Sequence, residues 1–142
     1  MELSEIFAET SQDLKIDDAE LDRESLRTPY LYDKYLKLYT ASDLELTKYK
    51  KEYDILKLER FEYYTGKSDK EVYKENPKDV KVLKGDLDLY LDADPDLRKV
   101  EESLGYMKAK VNFLEKTLKN IENRNWVIKN AIEWRKFLSG VT

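Results

Sequence analysis

Cations and tyrosines cluster in KYKKEYDILKLERFEYYTGK, residues 48–67 of a 142-residue chain that holds eleven tyrosines. On a helix, Lys50, Lys57 and Tyr64 lie seven apart on one ridge. Arg60 stands three from Lys57 and four from Tyr64, so these side chains are neighbours. Tyr63, Tyr64 and Lys67 fall where the helix ends and a loop begins. Positive charge meets phosphates whatever the sequence, and a planar ring stacks on any base. Lys50, Lys57, Arg60, Tyr63, Tyr64 and Lys67 thus supply what single-stranded nucleic-acid binding requires. The same residues also suit a solvated helix. Lys48–Glu52 and Lys50–Asp54 are i,i+4 pairs, and the tyrosines can pack against another helix.

Composition removes other chemistries. The chain has no Cys, hence no disulfide or thiolate metal site, and no His, hence no ordinary zinc site and no His-based acid–base catalysis. Its glycines, at 66, 85, 105 and 140, stand apart, so no phosphate loop is formed. Glu101 and Glu102 are adjacent and diverge on a helix, as solvated residues do. We therefore expect no enzyme, no metal and no cofactor. No apolar run reaches the length of a membrane span, and MELSEIFAET is acidic rather than signal-like. The expected setting is cytoplasmic, with no membrane partner. The net charge of −4 is unevenly spread. Residues 1–28 carry nine acids and three bases, whereas residues 106–136 carry eight bases and three acids.

The element that must organise all this is the stretch from Asp94 to Leu138. Leu97, Val100, Leu104, Met107, Val111, Leu114, Leu118, Ile121, Ile128 and Ile132 recur in steps of three and four with one gap, a heptad seam. Asp94 is a natural N-cap, Pro95 suits the first helical position, and Gly140 marks the stop. Such a helix is roughly 66 Å long, against a radius of gyration of about 14–15 Å for a compact chain of this size. It needs partners. The ten seam residues are the expected oligomerisation set. A second stripe, Tyr106, Phe113, Val127 and Trp134, suits a ring or bundle of more than three chains; it can equally hold the chain's own N-terminal helices. Asn125 and Arg135 fall at seam positions, so the helix's basic, Trp-bearing end, Arg124 to Lys136, reads as a working end.

The remaining chain reads as all-α. Residues 2–14 form a short amphipathic helix with Leu3, Ile6, Phe7 and Leu14 as its apolar set. Asp18 caps a turn carrying Leu21 and Leu26. Thr28-Pro29 starts a helix with Leu31, Tyr35 and Leu38 on one face. Ser42 and Glu45 form a capping box that starts the next, which stops at Gly66 and buries Leu46, Tyr49, Tyr53 and Leu56. Residues 29–65 thus read as a helical hairpin. Between 67 and 93 we expect a helical turn at Lys70–Glu75, an irregular segment, and a short helix from Asp86 in preference to a β-hairpin. Residues 1–93 hold the N-terminal helices and a variable loop, and residues 94–142 the long oligomerisation helix, in one structural unit.

The Arg–hydrophobic–acidic–Tyr–Tyr–Thr–Gly element at Arg60 to Gly66, and the R-x-x-x-I-K element at Arg124 to Lys129, resemble the UvsY family of recombination mediators from tailed phages. The resemblance covers residues 30 to 138. It implies an all-helical protein that forms a homo-oligomeric ring, a hexamer or heptamer, through its C-terminal helix. It implies sequence-independent binding of single-stranded DNA in the host cytoplasm. The implied partners are a RecA-like recombinase, which the mediator loads, and the single-strand DNA-binding protein, which it displaces. The family's DNA-binding element, Leu-Lys-x-Arg-Leu, places its Arg on Arg60 and its last residue on Phe61. Its Lys position holds Leu58, which puts that contribution in doubt. The rival reading is a coiled-coil adaptor or scaffold that binds no nucleic acid.

Overall fold

Two long helices carry most of the chain, α2 (Leu21–Thr65) and α5 (Pro95–Leu138). Before them lies α1 (Leu3–Asp13); between them lie α3 (Lys70–Glu75), a 3-10 turn at Lys84–Asp86, and α4 (Leu87–Asp92). The computed structural model describes residues 1–78 and 80–140, and no strand occurs among them. The all-α class, the long C-terminal helix and the irregular connection after Gly66 are as the sequence indicates. Two compact units result: residues 1–43 with the chain from Ala109 on, and residues 44–108.

The expected hairpin is corrected. Residues 29–65 do not fold back as a hairpin; α2 runs unbroken from Leu21, with Pro29 inside it and Ser42 buried at 4% exposure. The reason is tertiary. Leu21, Glu24, Thr28, Leu31, Tyr35, Ser42 and Leu46 are all buried on one face of α2. With half-buried Tyr39, Tyr49, Tyr53 and Leu56 they step by three and four without a break. A turn at Ser42 would have split this face. Proline inside a helix costs about 3 kcal/mol and leaves the carbonyl four residues back without its donor. Of the two leucines at the start of α2, Leu21 is buried and Leu26 is 80% exposed.

The first unit packs Ile6, Leu31, Tyr35, Leu114, Leu118 and Ile121 into one core, with Leu14, Tyr32, Leu38, Tyr39 and Phe113 around it. Phe7 meets Phe113 edge-on at 4.7 Å. Asp13, at the end of α1, accepts hydrogen bonds from Lys34 Nζ (2.6 Å) and the Tyr35 hydroxyl (2.8 Å). Burial opposes ionisation of Asp13, but these donors outweigh it and hold its carboxyl below the ordinary value. Arg124 lies inside, 4% exposed. It pairs with the Glu24 carboxylate and donates to the Glu24 carbonyl and to Thr28 Oγ1. It therefore supports α2 one turn before Pro29.

These contacts correct the register of the long helix. The buried face passes from Ile121 to Arg124 to Ile128, and Asn125 faces solvent. Two successive steps of three, Leu118 to Ile121 to Arg124, replace the alternation of three and four and bring Arg124 inward to its Glu24 and Thr28 partners. Leu97, Leu104, Met107, Val111, Leu114, Leu118, Ile121 and Ile128 are buried within this single chain. Val100 is half-buried and Ile132 is exposed.

Candidate nucleic-acid interface

The candidate residues all lie in the second unit, on the last four turns of α2 and just beyond it. Gly66 ends the helix with φ +80°. Lys67 N–H donates to the Glu62 carbonyl (2.8 Å) and Gly66 N–H to that of Tyr63 (3.3 Å), the paired bonds of a Schellman stop. Lys78 Nζ takes up the Tyr64 carbonyl at 2.9 Å.

Asp94 is the centre of the site. Its side chain is fully buried. Oδ1 accepts the N–H groups of Asp96 and Leu97, both at 3.0 Å, which makes it the N-cap of α5. Oδ2 accepts Arg60 Nε at 2.6 Å and the Tyr64 hydroxyl at 2.7 Å. Burial works against the charge, yet the Tyr64, Leu97 and Arg60 donors prevail and keep the carboxyl below its usual range. Tyr64 moves the other way: burial and the facing Asp94 raise its hydroxyl.

The six residues thus fall into two classes. Arg60, Tyr63 and Tyr64 are half-buried and tied into the fold. The Arg60 guanidinium carbon lies 4.4 Å from the Tyr63 ring centre and 5.1 Å from that of Tyr64. Tyr63 stacks on Tyr73 at 5.5 Å and donates to the Asn76 carbonyl at 3.2 Å. Lys50, Lys57 and Lys67 are exposed. Lys57 Nζ sits 5.8 Å from the Tyr53 ring centre and Lys67 Nζ 5.7 Å from that of Phe61. Among the described residues no ion pair neutralises these three. Leu58 is 58% exposed beside them. The structure brings Arg60, Tyr63 and Tyr64 together as a tether, with Lys57 and Lys67 on either side.

Sequence reasoning missed the tether although its signal was present. Arg60 continues the three–four stepping from Leu46 through Tyr49, Tyr53 and Leu56, so it occupies an inward position of the same face. An arginine there needs a buried acid, and the N-cap Asp94 supplies it.

The exposed apolar surface of α5 lies at its end. Trp126, Val127, Trp134, Phe137 and Leu138 are each more than half exposed. Trp134 stacks on Phe137 at 5.5 Å, and Lys129 Nζ lies 5.3 Å from the Trp126 ring centre. Arg135 meets Asp18 at 3.7 Å. No helix among the described residues is long and apolar enough to cross a membrane, and none of their acidic clusters could hold a metal ion.

Residues 9–141 match the family model described as recombination, repair and ssDNA binding protein UvsY. The recombination protein uvsY of Enterobacteria phage T4 is 26% identical over 140 residues, covering 99% of each chain. A crystal structure of the bacteriophage T4 recombination mediator protein UvsY superposes with a TM-score of 0.88 at 26% identity, covering 98% of both chains. Another crystal form of that protein gives 0.84 at 26% identity, over 94% of this chain and 98% of that one.

Proposed function

The chain belongs to the UvsY family of recombination, repair and single-stranded-DNA-binding proteins, and we propose that it works there as a recombination mediator. It binds single-stranded DNA without sequence preference as a homo-oligomeric ring. It helps a RecA-like recombinase onto strands that a single-strand DNA-binding protein has covered. It does so by binding alone, in the host cytoplasm, making and breaking no covalent bond.

The observation that carries this reading is the match over residues 9–141, nearly the whole chain. The geometry supports it with exposed, unneutralised lysines on one helix end. Lys50, Lys57 and Lys67 meet phosphates; Arg60, Tyr63 and Tyr64 hold the surface that presents them. One such patch binds weakly. Copies of it on a ring act along one strand, and avidity makes the complex tight. Bending the strand over the ring loosens a competing protein and exposes DNA to the recombinase.

A ring needs a surface that the fold does not consume. Most of the heptad seam is packed inside the chain. Ile132 and the exposed aromatic end of α5 carry the contact between copies. The test is native mass measurement with and without a single-stranded oligonucleotide. A six- or seven-subunit assembly that gains oligonucleotide mass supports the reading. A monomer that gains none overturns it.

A further inference from the structure

Two cavities of similar size flank the end of α2, and their linings differ in sign. One, of about 400 Å³, is edged by Glu59, Glu62, Asp69 and Asp96 as well as Arg60 and Lys67; it repels a phosphate chain. The other, of about 360 Å³, lies between the end of α2 and the 82–87 segment. Phe61, Tyr64, Val82 and Leu87 form its walls, and Lys67 and Lys84 are its only charged lining residues, with no acid among those described. A cavity of this volume accepts a small planar ligand.

We propose that this second cavity is a slot for one unstacked nucleobase of a single DNA strand, with Lys67 and Lys84 meeting the phosphates on either side of it. The proposal rests on the single-strand-binding reading above and extends the candidate surface, through Tyr64 and Lys67, to the 82–87 segment. Three features argue for a base. The walls are apolar and include two aromatic rings, which stack on any base. The charges are both cationic, which suits a polyanion and disfavours an acidic or cationic peptide. The Tyr64 wall is fixed in advance: its hydroxyl is held by Asp94 at 2.7 Å and its ring leans on Tyr90 at 5.8 Å. A wall already in place costs no ordering when the base arrives.

The experiment uses the full chain and two fluorescent oligonucleotides of equal length, oligo-dT and the same backbone without bases. The wild type should bind oligo-dT about 5- to 150-fold more tightly, the range for losing a base–aromatic contact. Leu87→Trp, which fills the slot, should bring oligo-dT down towards the abasic strand and leave abasic binding unchanged. Lys84→Ala, on an exposed residue that puts no core contact at risk, should lower affinity for both strands and reduce the salt slope by about 0.7. Equal wild-type affinity for the two strands, with no effect of Leu87→Trp, overturns the slot while single-strand binding stands; an apolar side chain of a protein partner would then be the occupant. A wild type that binds neither strand overturns the slot and the reading beneath it together.

Discussion

Arg60 Nε lies 2.6 Å from Oδ2 of Asp94, and the pair fastens the end of α2 to the first turn of α5. The candidate DNA-binding arginine therefore has a carboxylate partner inside its own chain. Its charge is largely spent on the fold, whereas Lys57 and Lys67 beside it are exposed.

The first prediction concerns that pair. Asp94→Ala removes an N-cap, usually worth about 1 kcal/mol, and leaves Arg60 and Tyr64 without their acceptor. Urea unfolding should show a loss of about 2–4 kcal/mol. Arg60→Ala, at a position open to some solvent, should lose about 1–3 kcal/mol. A weakened DNA affinity in Arg60→Ala must then be read beside its stability.

The pair also sets a pH dependence. The carboxyls of Asp94 and Asp13 are held below their ordinary value of 3.8 in the folded chain. A lowered folded pKa means that the unfolded chain binds protons first as the pH falls. Stability from these two groups is fully present above pH 3.8 and is lost as the pH drops below it through the folded values. The urea midpoint measured from pH 6 to pH 2.5 should fall in that window, and Asp94→Asn should flatten the fall.

Arg124 and Glu24 form the other buried pair. Glu24→Ala should cost about 3–5 kcal/mol, because it strands a buried guanidinium. Glu24→Leu combined with Arg124→Met should cost far less, as a well-packed apolar pair often matches a buried ion pair. Thermal unfolding of the three proteins checks the order.

The legibility of the chain follows from these cases. Leu97 to Ile121, Gly66 and Asp94 could be read directly, because apolar period, a positive-φ glycine and an N-cap are local signals. The unbroken α2 could not, because Glu24, Thr28 and Ser42 interrupt the apolar pattern at inward positions. Their burial depends on partners about a hundred residues away, such as Arg124 for Glu24 and Thr28. A local capping signal at Ser42 lost to a continuous tertiary face. In the candidate site the residue types and the inward position of Arg60 were legible, but the partner that ties Arg60 and Tyr64 into the fold was not. That partner is Asp94, thirty-four positions beyond Arg60.

The proposed ring assembly through the end of α5 predicts a surface effect. Trp134→Lys with Phe137→Lys should lower the assembly mass measured by light scattering while leaving helix content by circular dichroism unchanged, since both side chains are exposed.

The most direct measurement is fluorescence anisotropy of a labelled single-stranded oligonucleotide across salt concentration, for the wild type and for Lys50→Ala with Lys57→Ala. Each lysine that meets a phosphate contributes about 0.7 to the slope of log affinity against log salt for single strands. The account predicts affinity that falls steeply with salt. It also predicts a double variant with weaker binding, a slope shallower by about 1.4 per patch engaged, and unchanged unfolding. Salt-independent binding, or a double variant indistinguishable from wild type, would contradict it.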